Sequence, residues 1–535
     1  SSCTLLKKRY HKHVGKWFRL VLIYLASIFL YLFLLVMVGL YKINSVKNSE
    51  DFMVAGRSLP WFILVGTLLA TWTGSGSLFS GAGLGYRNGL AGLWSSSGAW
   101  FGIALIYYIT KRIRNFGRVT VPDIFEARYG STAAILATIT TVIAYTTIVS
   151  YQFLGGGKVL SIVSDGLISM ETGIIITAIF AISYTVLAGM YSVVYTDVVN
   201  GVLMTIGTIF ALGFLIIKVG GFSEIISVSE PVGKLQFFGN WHLERASEIS
   251  GPIIAISFFV PTMLLLMGDA NMYQRIFSAK NGLSAKKAVF FWIIGVIILE
   301  SVISLLGLVG SVAATKGIIP DIVKIAQEDM QTFNEATMLE ARQSGSESVI
   351  PTIAKFAGLP LILGLLLVST MMAIIVSTAD SFLLIPATNL TKDVYQKYLN
   401  PKSSEKQILF FSRTLVLLLG AIAFILVSQF KTVLNAAFTA YNIYGTSITP
   451  ALLATFLWKR ATSQGAVASI ITGASVTIIW TYFLPKWSHF NELNPFLREI
   501  TYPAAGSSIL MLIVVSLLTK PPNSNSLKQF FNDAD

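Results

Sequence analysis

The residues Thr73-Gly74-Ser75-Gly76-Ser77 interrupt, at its middle, an apolar run that extends over about residues 61–82. Glycine and small polar residues are poor helix formers, so a helix over this run is expected to break here. At membrane depth a broken helix is tolerated only where the released backbone groups meet a buried site or a cavity. The stretch therefore predicts a membrane-spanning helix whose broken centre contributes to a binding site.

The composition of the whole chain is typical of a membrane protein. Of its 535 residues, 54% are hydrophobic and 12% are charged, whereas a soluble domain carries roughly 25% charged residues. The apolar runs are continuous and about 20 residues long, which favours spanning helices over barrel strands. We therefore predict an all-α integral membrane protein in a lipid bilayer. The net charge of +13 is assigned to loops near anionic headgroups, and no nucleic-acid partner is expected.

These runs predict about 13 transmembrane helices. The predicted spans cover about residues 20–43, 61–82, 89–110, 131–160, 172–189, 193–219, 252–275, 287–313, 359–388, 408–428, 434–457, 464–484 and 501–519. Setting the first aside, spans 2–6 and 7–11 form two groups of five, and each group opens with a broken helix. In span 7 the break is Met267-Gly268-Asp269-Ala270-Asn271. Matched breaks in two halves are typical of the midplane site of a transporter with a 5+5 inverted repeat.

The charges in the loops predict the orientation in the membrane. Lysine and arginine concentrate after spans 3, 7, 9 and 11, which places these loops and the C-terminal tail in the cytoplasm and the N-terminus outside. The basic leader favours the opposite orientation, but the four internal loops outweigh it. The long loops at about 220–251 and 314–358 then lie outside a cell membrane, the plasma or inner membrane.

A single membrane domain is expected. It comprises a basic leader and peripheral helix at 1–47, a transporter core at 48–460, two peripheral helices at 461–519 and a cytoplasmic tail at 520–535.

Span 9 contains the polar stretch Ser377-Thr378-Ala379-Asp380-Ser381. Positions 377, 380 and 381 share one helix face. An unpaired carboxylate near the bilayer centre costs roughly 2.5–3.5 kcal/mol, and no lysine or arginine is expected at that depth in the neighbouring spans. Oxygen ligands suit a hard cation, so sodium is favoured, with a proton as second choice. The alternative without a cation is a set of hydroxyls bonded to their own helix beside a protonated Asp380.

Three further acids lie in or near the spans. Asp197, in Tyr195-Thr196-Asp197, either faces the span-9 stretch or caps its own helix. Asp269, in the span-7 break, either faces a solute amine or caps the second half-helix, and both roles are compatible. Glu300 in span 8 is either a proton site or the partner of a neighbouring hydroxyl, and the sequence leaves both open.

Aromatic residues lie near both breaks, namely Trp72, Trp94, Tyr273, Tyr441 and Tyr444. Most aromatic side chains in such a chain pack against lipid or other helices. Trp72 is favoured as a binding residue because it adjoins the span-2 break and offers a ring face to an ammonium group.

Several motifs together resemble the sodium/solute symporter family. They are the stretch from Asp51 to Trp61, the stretch from Tyr191 to Val199, Gln274-Arg275 at the end of span 7, and Ser377-Thr378-Ala379-Asp380-Ser381 in span 9 followed by Thr391-Lys392-Asp393-Val394-Tyr395. The resemblance covers roughly residues 48–460 and implies a LeuT-like inverted-repeat fold. The chain is not expected to be an enzyme, because it shows no nucleophile–base set and no metal-ligand cluster.

The resemblance also implies two ion sites by position. A sodium site between spans 2 and 9 would use the backbone carbonyls of Ala70, Thr73 and Ile374 and the hydroxyls of Ser377 and Thr378. A second cation site, present in some members, would use Asp197, Ser377, Asp380 and Ser381. One or two Na+ are therefore expected as coupling ions.

The predicted function is sodium-coupled import of a small polar organic solute by alternating access. The solute is expected to contact Trp72, Gly74, Ser75, Ser77, Asp269, Tyr273 and Tyr441. An amine, an amino acid or a quaternary ammonium compound is favoured. The stretch Ala70–Gly76 is similar to that of choline transporters, although Asp269 stands where those carry tryptophan, and the amides of sugar transporters are missing. The alternatives are a transporter-like receptor or sensor and a proton-coupled symporter of the same fold.

Overall fold

A computed structural model describes residues 2–43, 57–117, 120–239, 241, 250–329, 335–487, 489 and 492–531. Its α-helices are α1 (Ser2–Ile43), α2 (Trp61–Trp72), α3 (Ala82–Asn88), α4 (Leu93–Phe116), α5 (Val121–Tyr129), α6 (Ser131–Val163), α7 (Met170–Val219), α8 (Phe222–Ser229), α9 (Gly251–Gly268), α10 (Ala270–Ser278), α11 (Gly282–Thr315), α12 (Ile322–Asp329), α13 (Glu335–Ser346), α14 (Val349–Phe356), α15 (Leu361–Asn389), α16 (Glu405–Leu426), α17 (Val433–Leu457), α18 (Ser463–Ile478), α19 (Pro495–Arg498), α20 (Thr501–Leu518) and α21 (Ser524–Phe531). Short helical turns join them, π-helical at Gly76–Gly81, Leu390–Leu399 and Ile479–Phe483 and 3₁₀ at Gly89–Gly92, Val427–Gln429 and Leu484–Lys486.

The described residues form an all-helical membrane fold, as predicted. Eleven of the described helical segments are long and apolar enough to cross a membrane, and the exact count of about 13 spans stays a prediction. Apolar side chains remain exposed on the outer surface, for example Ile217, Ile362 and Leu518, which suits contact with lipid. The first part of the family-like motif, before Arg57, lies outside the described residues, as do the side chains of residues 2–16 in the basic leader and of Tyr191 and Ser192.

The helix α7 contains two predicted spans, 172–189 and 193–219, that follow each other directly in the sequence. Its backbone is helical from Met170 to Val219, yet the hydroxyls of Tyr184 and Thr196 lie 3.4 Å apart. A straight helix would separate residues 12 positions apart by about 18 Å. The chain therefore folds back between these two residues, and the segments on either side are separate spans.

Both predicted helix breaks are present and lie in the core. α2 ends at Trp72, where Thr73 leaves helical geometry with ψ of 83°, and regular turns resume before Gly76–Gly81. α9 and α10 meet at Asp269, whose ψ is 111°. α2 packs against α7, α10, α11 and α15, and α10 also contacts α4 and α15. The two broken helices therefore contact each other and share their neighbours.

Loop contacts divide the molecule into two ends. At one, called the basic end here, Lys397 pairs with Glu126, which joins the loops after spans 9 and 3. At the opposite end, called the long-loop end, Lys316 pairs with Glu224 at 2.9 Å, and Trp17 near the start of span 1 donates to Asp165 at 2.6 Å. The grouping of loops agrees with the expected alternation of spans. The orientation of the two ends in the membrane stays a prediction.

Candidate functional site

The break of α2 lies directly against α15. A methyl group at Gly74 would come within 2.8 Å of Cγ2 of Thr378, so the two chains touch at this position. The N–H of Gly74 donates to the carbonyl of Trp72 at 3.0 Å, and the N–H of Ser75 donates to Oε1 of Gln152 at 2.9 Å. In an unbroken helix these two N–H groups would bind the carbonyls of residues 70 and 71. The break therefore releases the last carbonyls of α2 beside the polar stretch of α15.

The residues predicted for the sodium site lie on the two chain segments that meet here, and whether they bind sodium stays a prediction. The hydroxyls of Thr73 and Thr378 are buried and have no hydrogen-bond partner among the described residues, while Ser377 donates to the carboxylate of Asp197. Ala70 and Ile374 are fully buried on the two facing helices. A buried hydroxyl left without a partner costs about 1–3 kcal/mol, and a bound cation removes that cost. The chemistry of this donor set fits Na+, which takes carbonyl and hydroxyl oxygens.

A guanidinium lies at the depth where no basic side chain was expected. Nη2 of Arg275 lies 3.2 Å from Oδ2 of Asp197 and donates to Oγ of Ser381 at 2.8 Å. Its Nε donates to Thr67 at 3.0 Å. The expectation of no lysine or arginine near the span-9 stretch is therefore wrong. Arg275 follows the Asp269 break by only six residues, about 9 Å along the half-helix, so it stays inside the span.

Asp197 is directed at the neighbouring helices rather than at its own helix start. Its Oδ2 accepts from Thr67 at 2.8 Å and from Thr71 at 3.2 Å, both on α2. Its Oδ1 accepts from Ser377 on α15. Of the two roles left open for this acid, contact with the span-9 stretch is the one observed.

Asp380 has no ion-pair partner among the described residues. Thr185 donates to its Oδ1 at 2.6 Å, and its Oδ2 is buried without a partner. The guanidinium of Arg275 contacts Asp197 and Ser381 instead. Two carboxylates therefore lie in this region with one guanidinium, which leaves one negative charge to be balanced by a cation or a proton.

Three of the predicted solute contacts line one small cavity of about 20 Å³ beside the α2 break, which has room for about one water molecule. They are Trp72, Ser77 and Tyr441, and the remaining lining residues are Gly76, Ser80, Gly81, Ser95, Ser96, Thr262, Glu300 and Phe438. Glu300 accepts from Ser77 at 2.5 Å and from Ser96 at 2.8 Å. The hydroxyl-partner role that the sequence left open for Glu300 is thus observed, and it places the carboxylate in the cavity wall.

The other predicted solute contacts lie elsewhere around the breaks. Gly74 and Ser75 face Gln152 and Thr378. Asp269 caps α10 by accepting from the N–H of Asn271 at 2.9 Å, which is the capping role considered above, and its Oδ2 stays buried without a partner. Tyr273 donates to the carbonyl of Met267 at 3.1 Å. None of these four lines the cavity around Glu300.

Sequence reasoning missed three residues that hold the breaks or the cavity. Gln152 accepts from the α2 break, and an amide within an apolar span was a visible signal for it. Tyr145 donates to Oδ1 of Asp269 at 2.5 Å, and Ser96 donates to Glu300. The sequence around Tyr145 and Ser96 contains no feature that distinguishes them from the many tyrosine and serine residues with a packing role only.

Contacts between distant segments of the chain lie at both ends of the molecule. At the basic end, Leu59 donates to the carbonyl of Ser278 and accepts from Lys280, both at 3.0 Å, which joins the start of span 2 to the end of span 7. At the long-loop end, Glu347 pairs with Lys158 at 2.5 Å and accepts from the N–H groups at the start of α17. These contacts therefore join distant segments of the chain at the basic end and at the long-loop end.

Comparison with known proteins agrees with this arrangement. The family model described as "Sodium:solute symporter family" matches residues 52–473. The osmoregulated proline transporter OpuE of Bacillus subtilis is 25% identical over 95% of this chain and 97% of its own length. The sodium/proline symporter of Escherichia coli is 26% identical over 95% of each chain.

Solved structures of transporters share the fold. A Na+-coupled sialic acid symporter in a substrate-bound outward-open state has a TM-score of 0.74 at 18% identity, covering 94% of this chain and 99% of that chain. The nucleobase–cation symporter Mhp1 has a TM-score of 0.56 at 12% identity, covering 90% and 99%. The family match spans most of the chain and includes both helix breaks and the span-9 stretch. The chain therefore belongs to the sodium:solute symporter family, and it is a secondary transporter, not an enzyme, that couples a small organic solute to Na+.

Proposed function

We propose that the chain imports a small amine-bearing solute with Na+, with proline as the first candidate. Relatives that are named proline transporters or sodium/proline symporters support proline. The observation that carries the proposal is the contact between the α2 break and α15. There, unpartnered hydroxyls of Thr73 and Thr378 lie next to a cavity lined by Trp72, Ser77 and Tyr441.

The proposed sodium site joins the two helices that must move relative to each other. Carbonyls of Ala70, Thr73 and Ile374 and hydroxyls of Ser377 and Thr378 are its ligands. A cation held between α2 and α15 strengthens their contact, and its departure weakens it. Sodium entering down a membrane potential gains about 2.3 kcal/mol per 100 mV, and a tenfold gradient adds about 1.4 kcal/mol. One ion thus sustains a solute ratio of several hundredfold.

A second cation site is proposed beside the Arg275 ion pair. Its ligands are Asp197, Ser377, Asp380 and Ser381. The negative charge left after pairing Asp197 with Arg275, and the unpartnered Oδ2 of Asp380, support a monovalent cation there. A proton on Asp380 is the competing occupant, and it corresponds to a proton-coupled symporter.

The test is uptake of labelled proline into proteoliposomes with an inward sodium gradient, an inward potassium gradient or an inward proton gradient. We expect uptake only with sodium. Thr378→Val should raise the half-saturating sodium concentration about tenfold, which corresponds to about 1.4 kcal/mol, because it removes one of the five proposed ligands. Thr370→Val on the same helix is the control, since its hydroxyl bonds the carbonyl of Leu366 at 2.7 Å.

Uptake that is unchanged by removing sodium, or by Thr378→Val, would contradict the sodium site. Uptake driven equally by the proton gradient alone would favour the proton-coupled alternative. Binding of proline without any uptake or current would favour a receptor of the same fold.

A further inference from the structure

Among the described residues that line the proposed solute cavity, one carries a carboxyl group and none is basic. Glu300 is 3% exposed, and none of the described residues that line the cavity is lysine, arginine or histidine. In its ionised form, Glu300 therefore has no cationic side chain beside it among the described residues that line the cavity. A buried charge of this kind requires a partner, and in a transport cavity the cargo is the partner available.

The carboxylate is held in place by two different elements. Ser77 reaches one oxygen from the π-helical turn after the α2 break, and Ser96 reaches the other from α4. A carboxylate offers about four acceptor positions, so two donors leave acceptor capacity for a third group. The two serines thus orient the Glu300 carboxylate and leave it able to accept a further hydrogen bond.

Aromatic rings complete the same cavity. Trp72, Phe438 and Tyr441 contribute to its wall, and the indole nitrogen of Trp72 lies near Glu300 without hydrogen-bond geometry. Aromatic faces attract ammonium groups because the ring quadrupole presents negative charge on its face. A carboxylate among aromatic rings is therefore complementary to a small organic ammonium ion.

We propose that Glu300 binds the ammonium group of the solute, so that the amine end is what this cavity recognises. The inference rests on the proposed function and assigns the side chain that recognises the charged nitrogen of its solute. Because no basic side chain lines the cavity, a carboxylate on the solute is not needed for binding. Prolinamide should therefore bind, whereas N-acetylproline, which has no ammonium group, should not.

The experiment uses the full chain in detergent and in proteoliposomes. Thermal stabilisation by proline, prolinamide, choline and N-acetylproline is measured in sodium, together with competition against labelled proline. Glu300→Gln should weaken proline and prolinamide about 10- to 100-fold, the value of a lost charged hydrogen bond. The sodium concentration that half-stabilises the solute-free protein should change less than about twofold. Glu300→Asp should recover part of the affinity.

The control is Glu492→Gln, an exposed acid paired with His489, which should leave both affinities unchanged. Equal binding of N-acetylproline and proline, or unchanged solute affinity in Glu300→Gln, would overturn the assignment while leaving the proposed function intact. A lower melting temperature with unchanged affinity would show that Glu300 is structural, and would also overturn it. If none of the amines is taken up by the unmodified protein in sodium, the proposed solute class itself fails.

Discussion

Arg275 on α10 and Asp197 on α7 form a buried ion pair, with 3.2 Å between Nη2 and Oδ2. The pair lies where α10, the second half of one broken helix, meets α2, the first half of the other. The same guanidinium donates to Thr67 on α2 and Ser381 on α15. One side chain thus connects three helices at the depth of the proposed ion sites. A planar guanidinium suits this task because its donors point in several fixed directions.

Arg275→Gln should destabilise the protein by about 3–5 kcal/mol, because it leaves the buried carboxylate of Asp197 without a cation. Asp197→Asn in the same chain should restore part of that loss. The measurement is a double-mutant cycle on thermal stability in detergent. Lys397→Gln, which breaks the partly exposed pair with Glu126, should cost less than about 1 kcal/mol. Additive effects of the two core substitutions would contradict coupling between Arg275 and Asp197.

Gly74→Ala should abolish sodium-dependent uptake, because the added methyl group would lie 2.8 Å from Thr378 and 3.0 Å from Nε2 of Gln152. It would force α2 away from α15 and separate the proposed sodium ligands. The measurement is the half-saturating sodium concentration in uptake and thermal-shift assays. Gly213→Ala is the matched control, since nothing lies within 4 Å of a methyl group there. Normal sodium affinity in Gly74→Ala would rule out a site at this contact.

Glu347→Gln should open the long-loop end. This carboxylate pairs with Lys158 and accepts from the N–H groups of Val433 and Leu434 at 3.1 and 2.8 Å, and charged hydrogen bonds contribute about 1.5–3 kcal/mol each. In a Cys3→Ser background, a reporter substitution Ser95→Cys in the cavity wall should be labelled several-fold faster by an impermeant thiol reagent.

Glu340→Gln is the control for this measurement, because Glu340 pairs with Lys431 on the exposed surface at 2.8 Å. Equal labelling rates in Glu347→Gln and Glu340→Gln would show that the buried pair does not hold this end closed.

Burial lowers the pKa of Lys234 from 10.5 to about 8. Lys234 follows α8 at the long-loop end, with Nζ 5.4 Å from the ring centre of Tyr86. Between pH 8 and pH 10.5 the unfolded chain binds more protons at this lysine than the folded one. The contribution of Lys234 to stability therefore rises with pH across that window, and its full cost is present below pH 8.

Lys234→Met should remove this cost. Compared with the unmodified protein, the variant should be more stable at pH 7, and the difference should shrink by pH 9.5. Lys324→Met, at a lysine 71% exposed, should show no such pH-dependent difference. A difference in stability between Lys234→Met and the unmodified protein that stays constant with pH would contradict the lowered pKa of Lys234.

Local composition was sufficient to predict the helices and the two breaks. Runs of apolar residues long enough to span a bilayer need no partner to be recognised, and the glycine and serine residues at 73–77 weaken a helix wherever it packs. The stripe at Ser377, Asp380 and Ser381 was also predictable, since helical spacing alone places these residues on one face.

Contacts between distant segments could not be read in the same way. Glu300 accepts from Ser77, 223 positions away, and Arg275 meets Asp197, 78 positions away. The pattern of residues along the chain does not predict which spans become neighbours, nor how deep in the bilayer a half-helix places its side chains. The local sequence thus determined which residues carry charge and where the helices break. The packing of α2, α10, α11 and α15 determined which of those residues come into contact, because the distance between side chains depends on how the helices cross.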